Sequence, residues 1–251
     1  MVSFAPAARA GTAATPASGD PDIPAMSLAD QAMARATGDG SGAGSVIRRD
    51  LDRILTAPTL RLWLVGSAAA LAAHGEENPD RAEAALGRGF IDGPADIGNA
   101  YGSGFAIGGL SLLAYGAGAI AGDANLRSTG SEMARSLVYT SVVVTALKRT
   151  ISRTRPDGGS GSFPSGHTAV AFAMAPILAR RYGLKAAIPA YALATATGLG
   201  RMEDRRHFLS DVLVGAAIGV SIGRAVAGPN ENAAAPRFLV GPGGAQFAVH
   251  F

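Results

Sequence analysis

Six uncharged, mostly apolar segments constrain the fold of this chain more than any other feature. They are residues 62–73, 97–122, 136–147, 168–179, 186–200 and 212–223, with Gly- or Pro-containing breaks between most of them. Just before the first segment, Ile47, Leu51 and Ile54 recur at helical spacing with charged residues between them, as in an amphipathic helix. The pattern therefore predicts an all-α protein, a helical bundle of about six core helices.

The two ends of the chain differ from this body. Residues 1–45 are mostly Ala, Gly, Ser, Thr, Pro and Asp without periodicity, which predicts a flexible N-terminal tail. In the C-terminal extension 229–251, apolar residues on either side of the Gly-Pro-Gly-Gly turn at 241–244 predict a β-hairpin. The helical domain is accordingly predicted to span residues 46–228.

Segment length is the test for membrane crossing, because a spanning helix needs about 20 apolar residues. Only segment 97–122 reaches that length, and it is rich in glycine. The other five have 12 to 15 residues each and resemble buried core helices, so we expect a soluble or peripheral bundle rather than a polytopic membrane protein. Residues 1–12 lack the basic start of a standard signal peptide.

Composition excludes several classes of function. The formal net charge of +3 gives no electrostatic basis for binding nucleic acid, so no nucleic-acid partner is expected. The chain has no cysteine, which excludes disulfides, thiol nucleophiles and metal sites that need Cys. Charged residues make up 16% of the chain against about 25% in ordinary soluble domains, which leaves membrane contact open.

A basic segment leads into a proline at the end of the third core helix. Lys148 and Arg155 are seven residues apart, a spacing that returns to nearly the same helical face, and Pro156 favours an end to the helix. Two cations on one face suit an anion with several oxygens. The alternative is that a basic helix end only complements the helix dipole.

A Pro-Ser-Gly-His segment begins the next helix. Ser165 is placed to cap that helix, Gly166 lets the backbone approach a ligand, and His167 lies in the first turn. Free N–H groups at a helix N-terminus bind phosphate well, so His167 would face a bound anion. The alternative is a plain N-cap beside an exposed histidine.

A third group follows at the end of the chain's helical part. Arg201 supplies a planar charged fork suited to two phosphoryl oxygens. His207 and Asp211 are four residues apart and on a helix would lie on one face, where the carboxylate would fix the imidazole tautomer. The alternative is a pairing on the protein surface.

Taken together, the motifs Lys-x6-Arg-Pro, Pro-Ser-Gly-His and Arg-x5-His-x3-Asp resemble the type 2 phosphatidic acid phosphatase (PAP2) superfamily. This group includes lipid phosphate phosphatases, bacterial acid phosphatases and vanadium haloperoxidases. The resemblance covers about a quarter of the chain, from Lys148 to Asp211, and departs from the family at Gly200, where a serine is usual. It implies a PAP2-like phosphatase domain in the cell envelope, on the extracytoplasmic side.

The resemblance also implies a role for each motif residue. His207 would attack phosphorus and form a phosphohistidine, Asp211 would orient it, and His167 would act as general acid and base. The substrate would be a phosphate ester with a lipid, isoprenoid or soluble leaving group, and no metal ion or cofactor is expected. The residues that would hold the phosphate are Lys148, Arg155, Ser165, Gly166 and Arg201.

Two other interpretations of the same motifs remain. In a vanadium haloperoxidase, the same residues would hold vanadate and His207 would coordinate vanadium. In a catalytically inactive protein, the bundle would have only a structural role. Outside the motifs, we expect His74 and His250 to be structural or solvated, and Arg205 and Arg206 to form a solvated face.

Overall fold

The computed structural model describes residues 42–75, 77–80 and 92–228, and the two strands at 237–241 and 244–248. Contacts divide the chain into two compact units, Met1–Ser45 and Val46–Phe251, and the candidate site residues all lie in the second. The tail predicted for residues 1–45 lies almost wholly outside the described residues, as does His250.

The described residues form eight helices, so the prediction of an all-α helical bundle is confirmed. The helices are α1 Ala43–Ile54, α2 Ala57–His74, α3 Asp92–Tyr101, α4 Gly104–Ala121, α5 Ala124–Thr150, α6 Gly166–Tyr182, α7 Leu184–Glu203 and α8 Leu209–Ala227. After them, β1 Arg237–Gly241 and β2 Gly244–Ala248 pair antiparallel as the predicted hairpin, with Phe238 opposite Phe247 in the register.

Helix α6 lies at the centre of the bundle and packs against α5, α7 and α8. It is apolar on all sides, as expected for a helix without a solvent face. Around it, α8 also contacts α2, α4 lies on α5, and α3 lies on α7. The fully buried apolar residues of α6 are Ala169, Ala171, Ala173, Met174, Ala175 and Ile177.

The apolar segment 97–122 forms two helices rather than one. Ser103 caps α4 by accepting a hydrogen bond of 3.1 Å from Ala106 N, and this new helix start separates α4 from α3. At the other end, Gly122 has a φ of 71°, a left-handed conformation that ends α4. Asp123 then caps α5 through bonds from Asn125 N at 2.9 Å and Leu126 N at 3.0 Å.

The expectation of a soluble or peripheral bundle is wrong. Two helices, Gly104–Ala121 and Leu209–Ala227, are long and apolar enough to cross a membrane, each with a mean hydropathy of 1.6. The first of them leaves large apolar side chains uncovered: Phe105 is 97% exposed and Ile120 91%. An apolar surface of this kind is stable in lipid, and the two helices indicate an integral membrane protein rather than a soluble one.

Helix α8 is longer than the uncharged run that marks it in the sequence. The run 212–223 has 12 residues, but α8 has 19, because Asp211 lies in its first turn and Arg224 in its last. Charged groups at helix ends can reach the membrane surface and do not prevent crossing. At 1.5 Å per residue α8 is about 28 Å long, close to the roughly 30 Å of a bilayer core.

The contact between α6 and α8 depends on Gly219. A Cβ atom at this position would lie 2.2 Å from Ala169 O and 2.9 Å from Ala173 N, so the helices would have to separate. Gly219→Ala should therefore destabilise the protein by about 1–3 kcal/mol and lower its Tm in detergent by several degrees. Gly116→Ala is the control, since no atom lies within 4 Å of its Cβ position, and an equal Tm for the two variants would contradict this packing.

The lipid contact of α4 can be tested because the chain has no cysteine of its own. Leu113 is 69% exposed in the middle of α4, and Ser160 is exposed in the loop before α6. In sonicated membranes, a water-soluble maleimide should label Ser160→Cys rapidly and Leu113→Cys only after detergent is added. Equal labelling of both variants before detergent would show that α4 faces water.

Candidate active site

The motif residues lie where four helix ends meet. Lys148 is in the last turn of α5, His167 in the first turn of α6, Arg201 in the last turn of α7, and Asp211 in the first turn of α8. Backbone hydrogen bonds join these ends, since Ser165 N donates to Asp211 O at 3.0 Å and His207 N donates to Arg201 O at 3.2 Å.

Lys148 and Arg155 do not share a helix face, contrary to the prediction from their spacing. Helix α5 ends at Thr150, and Arg155 lies in a loop where its N–H bonds to Gly159 O at 2.7 Å. The loop folds back over the helix end, and the Lys148 ammonium donates to the carbonyls of Gly161 and Ser162. Burial, together with the nearby Arg155 and Arg201 charges, lowers the pKa of Lys148 to about 8.

Two buried guanidinium nitrogens at this place have no hydrogen-bond partner among the described residues. They are Nε of Arg155 and Nε of Arg201, although Arg201 also donates from Nη1 to Asp204 Oδ2 at 2.9 Å. A buried N–H without a partner costs about 1–3 kcal/mol, so such groups are normally satisfied. An anion with several oxygens would supply the acceptors that these two side chains lack.

The start of α6 differs in one detail from the prediction. Ser165 is the N-cap residue, but its hydroxyl makes no cap bond and instead shares a hydrogen bond of 2.8 Å with Thr168 Oγ1. The Ser165 side chain is fully buried. A Cβ on Gly166 would lie 4.0 Å from Lys148 Cε, which places the N-terminus of α6 directly beside the lysine.

His207 and Asp211 lie close together, but not on one helix face as predicted. Helix α8 begins at Leu209, so His207 precedes it, and His207 Nδ1 lies 3.7 Å from Asp211 Oδ2, beyond normal hydrogen-bond distance. Both residues are buried, His207 at 4% exposed and Asp211 at 0%. Burial and the charges of Lys148 and Arg201 lower the pKa of His207, while the Asp211 carboxylate opposes that change.

His167 is the second imidazole of the site. Burial and the charges of Arg201, His207, Lys148 and Arg155 together lower its pKa to about 4. The Lys148 and Arg201 charges also affect His207, so the two imidazoles and these cations lie near one another. When no anion is bound, His167 is therefore neutral at pH 7.

Three side chains that the motifs did not single out bind the site carboxylate or its partners. Arg153 donates from Nη1 to Asp211 Oδ1 at 2.8 Å and from Nη2 to Glu77 Oε2 at 2.6 Å, and the Ser162 hydroxyl donates to Asp211 Oδ2. Arg153 lies inside Lys-x6-Arg-Pro, where its spacing gives no signal. Glu77 is outside every motif and could not be found from spacing at all.

The remaining expectations concerned residues outside the motifs. His74 is solvated in part, with 61% of its side chain exposed, but its Nδ1 also lies 3.0 Å from Glu77 Oε2. Arg205 pairs with Asp80 at 2.9 Å and Arg206 with Asp157 at 3.3 Å, which fits an exposed charged face.

Comparisons with known proteins agree with the motifs. The PAP2 superfamily matches residues 157–228. A lipid A 1-phosphatase of Porphyromonas gingivalis is 44% identical over 85 residues, which are 32% of this chain and 19% of that protein. A lipid A 4'-phosphatase of Helicobacter pylori is 32% identical over 99 residues, which are 35% of this chain and 50% of that protein.

The matches thus span about a fifth and half of the length of these two curated relatives. Among solved structures, a transmembrane PAP2-type phosphatidylglycerolphosphate phosphatase from Bacillus subtilis is 23% identical with a TM-score of 0.45, covering 72% of this chain and 92% of that one. The resemblance inferred from the motifs is confirmed by the match of residues 157–228 to the model of the PAP2 superfamily.

Proposed function

We propose that this protein is a phosphatase that removes a phosphate monoester group from a lipid through a phosphohistidine on His207. The observation that carries the proposal is the pair of buried, unpartnered Nε groups of Arg155 and Arg201 beside Lys148 and the buried imidazole of His207. Buried guanidinium N–H groups without an acceptor favour a bound anion, and two imidazoles beside that anion can transfer its phosphoryl group.

Three side chains hold the phosphoryl group in this proposal. Arg155 and Arg201 donate to the non-bridging oxygens. Lys148 adds a positive charge, because its ammonium group, with a pKa of about 8, is mostly protonated at pH 7. The backbone N–H of Gly166, the first residue of α6 and a neighbour of Lys148, would add a further donor. Positioning and neutralisation of the oxygens are the main requirements of phosphoryl transfer. The buried Ser165 hydroxyl already bonds Thr168, so it would contribute only after rotating.

His207 is the nucleophile in the first step. Its Nδ1 faces the Asp211 carboxylate, which leaves Nε2 to attack phosphorus as the bond from phosphorus to the ester oxygen breaks. A lowered pKa keeps His207 neutral, with its lone pair available, at pH 7. Asp211 stabilises the positive charge that the imidazole gains when it is phosphorylated.

His167 transfers the protons in this proposal. Burial and the neighbouring cations hold the pKa of His167 at about 4 in the empty site, so it has no proton to donate at pH 7, but a bound phosphate neutralises those cations. Substrate binding therefore raises the pKa of His167, so that it can protonate the leaving alkoxide. Neutral again, it accepts a proton from the water that attacks phosphohistidine and releases inorganic phosphate.

A lipid substrate is supported by the position of the site. His207 lies two residues before the candidate span Leu209–Ala227. The other span, Gly104–Ala121, also starts near the site, since a Cβ on Gly102 would lie 2.9 Å from His167 O. The site thus lies at the membrane surface, where lipid phosphates are found, and the two curated relatives are both named as lipid A phosphatases.

Vanadate binding tests the cationic site. Arg155→Met should weaken vanadate inhibition about 10- to 100-fold, because a charged hydrogen-bond donor contributes about 1.5–3 kcal/mol. Arg149→Met removes the same charge from an exposed position six residues earlier and should leave inhibition unchanged. Equal effects of the two variants would mean that general charge, not a formed site, attracts the anion.

Phosphate release from lipid and soluble esters in detergent tests the function itself. Wild-type protein should release phosphate from a lipid monoester, and His207→Ala should reduce the rate by at least about a thousandfold with an unchanged helical circular dichroism spectrum. After rapid mixing with ³²P-labelled lipid, the wild type should carry base-stable, acid-labile label that His207→Ala lacks. Near-normal turnover by His207→Ala would reject the nucleophile, and hydrolysis of soluble esters alone would reject the lipid substrate.

A further inference from the structure

The carboxylate that faces His207 is part of a longer chain of charges. Asp211 Oδ1 accepts a hydrogen bond from Arg153 Nη1 at 2.8 Å, and Asp211 Oδ2 accepts bonds from the Ser162 hydroxyl and from Phe208 N at 2.9 Å. Asp211 is 0% exposed, so these partners rather than water determine where its oxygens lie. Arg153 is the charged member of the group.

Arg153 is itself held on its other side. Its Nη2 donates to Glu77 Oε2 at 2.6 Å, its Nη1 donates to Ser210 Oγ at 2.7 Å, and its guanidinium lies 4.1 Å from the centroid of the Phe208 ring. Glu77 Oε1 in turn accepts a bond of 2.8 Å from Ser210 N. The guanidinium is thus fixed between two carboxylates, one from the segment after α2 and one from the start of α8.

The sum of these charges matters for His207. Arg153 paired with Asp211 alone would form a neutral pair, and a neutral pair stabilises a positive imidazole poorly. Glu77 adds a second negative charge, so the group Glu77–Arg153–Asp211 carries a net charge of −1. Glu77 is 6% exposed at its side chain, and despite its burial the bonds from Ser210 and Arg153 lower its pKa, so it stays ionised at pH 7.

We propose that Glu77 and Arg153 are positioning residues for the reaction: they orient Asp211 and preserve the net negative charge that stabilises His207 when it becomes positive. Neither residue contacts the phosphate in this proposal. Both act through Asp211. The proposal deepens the proposed function, because it assigns the residues that set the charge of its nucleophile.

The first test is a direct titration of His207, which needs no turnover. The groups that face its imidazole are Asp211, Lys148, Arg201 and His167. With only four histidines in the chain, their ¹⁵N-imidazole NMR signals in micelles can be assigned by single substitution. Glu77→Gln removes one negative charge and should lower the pKa of His207 by about 0.5–1.

Three further variants define the effect. Glu77→Asp keeps the charge and should restore the wild-type pKa of His207, while Arg153→Lys keeps the charge sum but cannot bridge both carboxylates. His74→Asn is the background for every titration, because His74 Nδ1 lies 3.0 Å from Glu77 Oε2. The matched control is Asp50→Asn, which breaks a buried pair with Arg135 Nε at 2.7 Å, about 20 Å from Lys148 along α5.

Kinetics provide the second readout. Glu77→Gln and Arg153→Lys should lower kcat about 3- to 10-fold with KM within about twofold of wild type, since the phosphate contacts remain. Asp50→Asn should lower the Tm but change neither kcat nor the pKa of His207. An unchanged pKa of His207 in folded Glu77→Gln overturns the proposal.

Failure of the proposed function and failure of the positioning role of Glu77 and Arg153 give different results. If the wild type hydrolyses no phosphate ester, the proposed function fails, but the NMR titration still reports whether Glu77 acts on His207. If Glu77→Gln does not fold, the comparison of Arg153→Lys with wild type decides: lowered kcat at an unchanged pKa of His207 supports the proposal, and wild-type kcat refutes it.

Discussion

The buried carboxylate of Asp211 is the interaction on which the site depends. Its side chain accepts bonds from Arg153, Ser162 and the backbone of Phe208, and its carbonyl accepts the N–H of Ser165. A carboxylate without partners in such a place would cost several kcal/mol. The loop after α5, the start of α6 and the start of α8 must therefore come together at once, and the same contacts that stabilise Asp211 bring His207 to the cations.

The cations of the site, unlike Asp211, lack some of their hydrogen-bond partners. Arg155 and Arg201 keep buried Nε groups without partners, and Lys148 is desolvated enough for a lowered pKa. These features destabilise the folded protein and are typical of sites that bind an anion. The close packing of α6 and α8 through Gly219 helps to offset this cost.

Much of the architecture follows from local sequence rules, and the failures have physical causes. The helices, their ends at Gly122 and Asp123, and the motif residues at helix ends follow from periodicity and capping. The prediction that Lys148 and Arg155 share a helix face is wrong, because α5 ends at Thr150 and Arg155 lies in the loop that follows. Glu77 contacts Arg153 across 76 residues of sequence, and no local pattern encodes that contact. The span Leu209–Ala227 was missed because Asp211 and Arg224 end the uncharged run inside it.

Antiparallel packing explains why these particular helix ends meet. Helices α6 and α8 begin at the site, with the positive ends of their dipoles, while α5 and α7 end there with their negative ends. Lys148 and Arg201 in the last turns of α5 and α7, and Asp211 in the first turn of α8, each complement the dipole of their own helix. Stabilisation of single helices and assembly of the proposed anion site are therefore not alternatives, because a bundle of alternating helix directions brings the cations of two helices to the N-terminus of a third.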